Sequence, residues 1–212
     1  MVRVKICGIT QPVDAKLAAD LGAHAIGLNF HPESPRSVSP VAASNILRQL
    51  PPFVVPVGIF VNWIPDAVIA LSQALRLSVA QLSGDEGPRV VAAIAKKLSV
   101  IKAIRAGQGG SAPDFAGYRA ASAFLLDSAQ PGRFGGTGST ADWHLARASA
   151  QSHCVILAGG LTPENVAEAI RIVRPYGVDV ASGVESRPGR KDTGKLRAFF
   201  DEVARGTREA NL

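Results

Sequence analysis

Two side chains able to move protons stand where apolar runs of this sequence stop. Cys7 closes the run Val2–Cys7 and is followed by Gly8, while Asp127 comes directly after Phe124-Leu125-Leu126 at the end of Ala123–Asp127. A thiol with its ordinary pKa of about 8.5 needs help to act as a base. Lys5, two residues before Cys7, shares its strand face and would favour the thiolate. An aspartate at the edge of an apolar strand loses solvation, which raises its pKa and favours the neutral acid. The alternative use of Asp127 is as a cap for the loop that follows. Two glycine-rich turns, Gly159-Gly160 and Ser182-Gly183, also follow apolar runs, and Thr162-Pro163 reads as a helix start. Glycine lets backbone N–H groups approach an anion closely, so these turns suit a phosphate, or else are simply tight.

Eight short runs rich in β-branched residues must position these groups: Val2–Cys7, Ala25–Phe30, Val54–Val61, Leu77–Leu82, Val100–Ile104, Ala123–Asp127, Cys154–Ala158 and Val178–Ala181. Each is nearly continuous in its apolar character, as strands buried on both faces of a parallel sheet are. Helix signals lie between them: Ser39-Pro40, the stripes in Asp66–Leu75 and Pro88–Leu98, Thr162-Pro163, and the segments after Thr10 and Asp192. The count of eight favours a (β/α)8 barrel spanning residues 1–212 as one catalytic domain over a doubly wound open sheet. In such a barrel the site lies at the C-terminal ends of the strands, which selects Cys7, Gln81, Arg105 and Asp127. The loops after strands seven and eight are the fold's usual phosphate site, which adds Gly159, Gly160, Ser182 and Gly183. Strands one and six are three steps apart around a ring of eight, so Cys7 and Asp127 would face each other across the mouth.

The segment Ser128–Thr140, with Gly132, Gly135, Gly136 and Gly138, is a binding loop or a plain connection. Its stretch Gly136–Ala141 fits the dinucleotide pattern only formally, since it does not directly follow a strand. None of His24, His31, His144 and His153 pairs with another at a spacing that suits a metal, and Cys154, at a strand start, reads as a small buried hydrophobe.

The chain has 212 residues, 47% hydrophobic and 19% charged, with a formal net charge of +6. That composition is globular. No apolar run approaches the roughly 20 residues of a spanning helix, and no signal-peptide pattern opens the chain, so a cytoplasmic protein is expected. Two cysteines make no disulfide framework and fit a reducing compartment. The basic residues are spread along the chain without interleaved aromatics, so the positive field suits a small anionic substrate rather than nucleic acid.

Six blocks then match one family in order: Lys5-Ile6-Cys7-Gly8-Ile9-Thr10, His31–Arg36, Leu126-Asp127-Ser128, Phe134–Gly138, Leu157–Val166 and Asp179–Glu185. From about Arg3 to about Phe200 the sequence resembles the phosphoribosylanthranilate isomerases of tryptophan biosynthesis. The resemblance implies an Amadori rearrangement of N-(5-phospho-β-D-ribosyl)anthranilate without cofactor or metal. It matches Asp127 to the general acid that opens the furanose ring and Cys7 to the base that removes the C2 proton. It matches Arg36 to the partner of the anthranilate carboxylate, puts the phosphate at Gly159-Gly160 and Ser182-Gly183, and has Gly135–Gly138 help close the site. The partner expected is therefore a small-molecule substrate, with the chain a monomer or a homodimer.

The sequence departs from the family pattern at Ser83, where relatives often carry histidine, and at Asn29, where many carry an apolar residue. Two other readings are open: an aldolase forming a Schiff base on Lys102, and a non-catalytic sugar-phosphate-binding barrel.

Overall fold

Parallel strands that alternate with helices bury both faces only by curling into a ring, and this chain does so. The computed structural model describes residues 1–106, 115–128 and 143–211. Its strands are β1 (Arg3–Ile6), β2 (Ala25–Asn29), β3 (Val55–Phe60), β4 (Val79–Leu82), β5 (Ser99–Ala106), β6 (Ala123–Ser128), β7 (Val155–Leu157) and β8 (Gly177–Val180). They form a closed, wholly parallel barrel in sequence order, with β8 pairing back onto β1. All eight expected strands are present, within a few residues of the expected bounds.

The two-residue period of each strand divides the core in two. One set of side chains points into the barrel: Val57, Ile101, Ala123, Leu125, Ile156 and Ala158 fill it, with Ala25, Val79, Ala103 and the half-buried Cys154 against them. The other set, including Ile6, Ile26, Leu28, Leu82, Val100, Leu126 and Leu157, packs under the helices. By the same parity Lys5, Cys7, Gln81, Asp127 and Asp179 point inward, whereas Lys102 lies on the outward face with Val100 and Ile104.

The helices are α1 (Pro12–Asp20), α2 (Pro40–Leu47), α3 (Pro65–Ala74), α4 (Pro88–Ala95), α5 (Trp143–Ala150), α6 (Val166–Val173) and α7 (Thr193–Glu209). The first four begin with proline, whose missing N–H would have no partner in the first turn anyway. Ser39 caps α2 by accepting from Ala42 N at 3.2 Å, and Asp192 caps α7 by accepting from Lys195 N at 2.9 Å. Thr162-Pro163 does not open α6 as expected. Asn165 is the N-cap, and its side chain instead ties the preceding turn, accepting from Thr162 N at 2.8 Å and donating to Gly160 O at 2.9 Å. Between β5 and β6 the described residues hold only a short 3-10 turn, Ala116–Tyr118. After β8 come a second such turn (Ser182–Val184) and a small hairpin, β9 (Glu185–Arg187) and β10 (Arg190–Lys191), which the apolar pattern did not announce.

Helix α7 lies against α6 at Gly206, where an added Cβ would stand 2.7 Å from Ala167 Cα and 2.8 Å from its carbonyl oxygen. Backbone cannot yield as a flexible side chain can. Gly206→Ala is expected to destabilise the protein by about 2 kcal/mol, against the slight gain normal for alanine in a helix. A lowered urea midpoint with an unchanged slope is the expected observation.

Candidate active site

Cys7 follows the last residue of β1, where its N–H donates to Val180 O at 2.8 Å and fixes it against β8. Its side chain is half-buried. The neighbouring strand contributes Gly27, where a Cβ would lie 3.1 Å from Cys7 Sγ and 3.2 Å from Cys7 Cα, so the glycine makes room for the thiol. Gly8 has φ +70°, and a Cβ there would collide with Cδ of Arg36. Only glycine meets both demands. The Cys7-Gly8 step thus brings the thiol and the Arg36 side chain to the same part of the barrel mouth.

Arg36 is held from behind. Its Nε donates to Glu185 Oε1 and Oε2 at 2.9 and 3.1 Å, and its Nη2 donates to Oε2 at 2.6 Å. Glu185, only 6% exposed, also accepts from Lys191 Nζ at 3.0 Å and from Gly189 N at 3.3 Å. Burial works against the carboxylate, but the two cations outweigh it and hold Glu185 below its ordinary range. The same hydrogen bonds raise Arg36 further above its already high value. Among the described residues Nη1 makes no hydrogen bond, so one edge of the guanidinium is left for another planar anion. Asn29 also serves this arginine. Its carbonyl oxygen accepts from His31 N at 2.8 Å, and its amide donates to Ser34 Oγ at 3.1 Å. That hydroxyl in turn accepts from Arg36 N at 3.2 Å.

One layer below the thiol, Lys5 is buried in the barrel with its Nζ 2.9 Å from Asp179 Oδ1, the residue beside it across the β1–β8 pairing. Cys7 is the next residue of β1's inward parity above it. By strand parity Lys5 is expected to favour the thiolate, and its charge does pull in that direction, as does that of Lys191. Burial outweighs both, and Asp179 adds to it, so the thiol is pushed above its ordinary value.

Gln81 and Asp127 line the same inward face, on β4 and β6. Gln81 is 4% exposed; it donates to Ser83 Oγ at 3.0 Å, and its Oε1 has no hydrogen-bond partner among the described residues. Asp127 is half-buried and in register with Arg105 across β5–β6. Counting back from β1 through β8, β6 is the third strand, so Cys7 and Asp127 end strands on opposite sides of the mouth. Gly159 and Gly160 take positive φ values of 81° and 63° in the turn after β7. Gly183 packs so closely on Leu161 O that no Cβ fits, which brings the turns after β7 and β8 together. Gly135, Gly136 and Gly138 lie outside the described residues.

Lys102 does not enter this site. From the outward face of β5 its Nζ donates to Glu86 Oε2 at 2.9 Å, Gly84 O at 2.8 Å and Leu82 O at 3.3 Å. Glu86 Oε1 accepts from Asn62 N at 2.8 Å and Gly84 N at 3.1 Å, so the pair binds together the loops after β3 and β4. A lysine so committed to acceptors outside the barrel is not the free amine that a Schiff base requires. The three residues that position the site, Asp179, Glu185 and Lys191, carried no role of their own in the sequence argument. Asp179 had a signal, being a charge between valines with the inward parity of its strand.

The family profile described as N-(5'phosphoribosyl)anthranilate (PRA) isomerase matches residues 4–202. Curated isomerases of that name from Trichlorobacter lovleyi and Pelobacter propionicus are 50% and 49% identical to the chain. They cover 94% and 98% of it, and it covers 97% and 98% of them. The crystal structure of phosphoribosyl anthranilate isomerase from Thermotoga maritima superposes with TM-score 0.88 at 40% identity, covering 96% of this chain and 99% of its own. A further solved isomerase, in complex with reduced 1-(o-carboxyphenylamino)-1-deoxyribulose 5-phosphate, superposes with TM-score 0.84 at 39% identity, covering 96% of this chain and 99% of its own. Barrel order, strand-end chemistry and near full-length likeness agree: this chain belongs to the N-(5'-phosphoribosyl)anthranilate isomerase family.

Proposed function

We propose that Cys7 and Asp127 are the base and acid with which this chain converts N-(5-phospho-β-D-ribosyl)anthranilate to 1-(2-carboxyphenylamino)-1-deoxyribulose 5-phosphate in tryptophan biosynthesis. The observation that carries the assignment is their placement: both point inward at strand ends on opposite sides of one mouth. Asp127 gives its proton to the furanose ring oxygen as the C1–O bond breaks, leaving an iminium ion. The Cys7 thiolate then takes the proton from C2, and its C–H electrons move to neutralise the iminium nitrogen. The resulting enolamine tautomerises to the ketone. The reaction is redox-neutral overall, since C1 is reduced as C2 is oxidised. Acid and base on separate sides of the ring avoid mutual neutralisation.

Arg36 takes the anthranilate carboxylate through the edge that Glu185 leaves open. Gln81 Oε1, buried and without a partner among the described residues, accepts from a substrate N–H or hydroxyl, since an unmet acceptor there is costly. Gly159, Gly160, Ser182 and Gly183 hold the phosphate at the joined turns. Ser83, in accepting from the Gln81 amide, orients Gln81. No described helix is long and apolar enough to cross a membrane. We take the chain to be cytoplasmic, and a monomer or a homodimer; a related isomerase from Thermotoga maritima is dimeric.

Cys7→Ala and Asp127→Asn are each expected to lower kcat about 10²–10⁴-fold, measured as the fall in anthranilate-sugar fluorescence, while a reduced product analogue still binds. Full activity in both variants would sink the assignment. Because burial raises the Cys7 thiol and the base must be ionised, kcat/KM rises with pH through the Cys7 titration. Cys7→Ala should show no such rise in its residual rate. Arg36→Ala is expected to raise KM about 30-fold or more, and Glu185→Gln less, about tenfold, because it frees the guanidinium without removing it. A Glu185→Gln variant with unchanged KM would show that orientation of Arg36 is not needed.

A further inference from the structure

Inside the barrel, beneath the proposed base, lies a pair of opposite charges that no step above uses. Lys5 and Asp179 are 4% and 7% exposed, and each is the other's partner at 2.9 Å. Two charges sealed in a barrel are a poor way to gain stability, since desolvation consumes much of their attraction. Apolar residues would fill the same positions, as they do at Val57, Ile101 and Leu125. What distinguishes this pair is its neighbour, for Cys7 is the next inward-facing residue after Lys5, above the ion pair that joins β1 to β8. A lysine ammonium has three donors and no acceptor, so it can serve a carboxylate and a thiolate together.

We propose that Lys5 is the positioning residue of the Cys7 thiolate, holding it and balancing its charge, and that Asp179 anchors the ammonium while opposing thiolate formation. The proposal rests on Cys7 being the base, and it assigns opposite electrostatic effects to two residues of one ion pair. The groups around the sulfur make the assignment specific. The charged groups that act on it electrostatically are Lys5 on β1, Asp179 on β8, Lys191 on β10 and Arg36 from the loop after β2, with Asp127 across the mouth on β6. Lys191 and Arg36 are both engaged by Glu185, whose negative charge offsets theirs. Lys5 is the cation of this set that shares the thiol's own strand face and whose charge Glu185 does not offset. The direction of each influence on the thiol agrees with this division, Lys5 lowering it and Asp179 raising it. Before the C2 proton is removed the sulfur is anionic and the ammonium faces two anions. Afterwards the thiol is neutral and the ammonium returns to Asp179 alone.

The test is the pH dependence of Cys7 alkylation by iodoacetamide, read on the Cys7 peptide by mass spectrometry, alongside steady-state kinetics and binding of the reduced product analogue. Lys5→Met is expected to move the alkylation midpoint up by about one pH unit or more. It should also cut kcat/KM at pH 7 about tenfold or more, with analogue binding changed less than about threefold. Asp179→Asn is expected to move the midpoint down, a change that simple loosening of the barrel does not produce. Lys5→Arg should recover part of the shift. Since Lys5→Met leaves Asp179 buried and unpaired, the double variant Lys5→Met/Asp179→Asn tests the same point in a charge-neutral barrel, where the midpoint should still lie above that of the unmodified protein. An unmoved midpoint in the folded double variant, or in Asp179→Asn, overturns the proposal. Alkylation is read without turnover, so that failure is distinct from failure of Cys7 as the base, which an active Cys7→Ala variant would reveal.

Discussion

An eight-stranded barrel encloses just enough space for its own side chains, and no water accompanies a charge placed there. Every inward position must therefore be small, apolar or paired. Val57, Ile101, Ala123, Leu125 and Ile156 obey by being apolar. Lys5 and Asp179 obey by pairing, at neighbouring positions of β1 and β8. Gln81 obeys only in part, because one of its amide atoms is satisfied by Ser83 and the other is not. The exceptions to a dry, filled interior all sit toward the C-terminal ends of the strands. Those are the places where a ligand, rather than the protein, can complete the bonding.

A second carboxylate organises the rim. Glu185 gathers Arg36, Lys191 and Gly189 N around one buried group. Its hairpin is locked in turn: Lys191 N donates to Asp14 on α1, Lys195 Nζ donates to the Glu185 carbonyl at 2.9 Å, and Thr10 donates to Gly189 O. The loop after β1, the loop after β2 and the hairpin after β8 are thereby one assembly. The opposite side of the mouth has its own clamp in Lys102 and Glu86, which ties the loops after β3 and β4. Two ion-pair networks outside the barrel thus hold the rim on which the proposed acid, base and carboxylate partner are displayed.

Strands and strand ends were legible in the sequence because burial on both faces leaves continuous apolar runs, and a polar residue that ends such a run is conspicuous. Cys7, Gln81 and Asp127 emerged in this way. Arg36 did not, because a Ser-Pro-Arg turn looks like any exposed turn. Its partner Glu185 lies 149 residues away, and only the resemblance to a family singled the arginine out. Lys102 was open to misreading as a catalytic amine, although it shares strand parity with Val100 and Ile104, which face the helices. The start of α6 moved three residues because Asn165 took over the turn that Thr162-Pro163 seemed to open. In each case the deciding contact is long-range or involves a side chain bonding locally to backbone, and neither leaves a periodic trace.

The pairing of β1 adds something about how such a site comes into being. Four residues of β1 are matched to β8, against two to β2. Lys5 and Asp179 are separated by 174 positions along the chain. The proposed base therefore depends more on the far end of the polypeptide than on its immediate neighbour. Contacts of such separation form late, because the entropy of joining distant segments is spent before the contact returns anything. A chain emerging from the ribosome would hold Cys7 from the outset yet have no thiol environment until β8 arrived to close the ring. Base catalysis by this cysteine is then a property of the finished circle, and partly made chains carry only an ordinary exposed thiol.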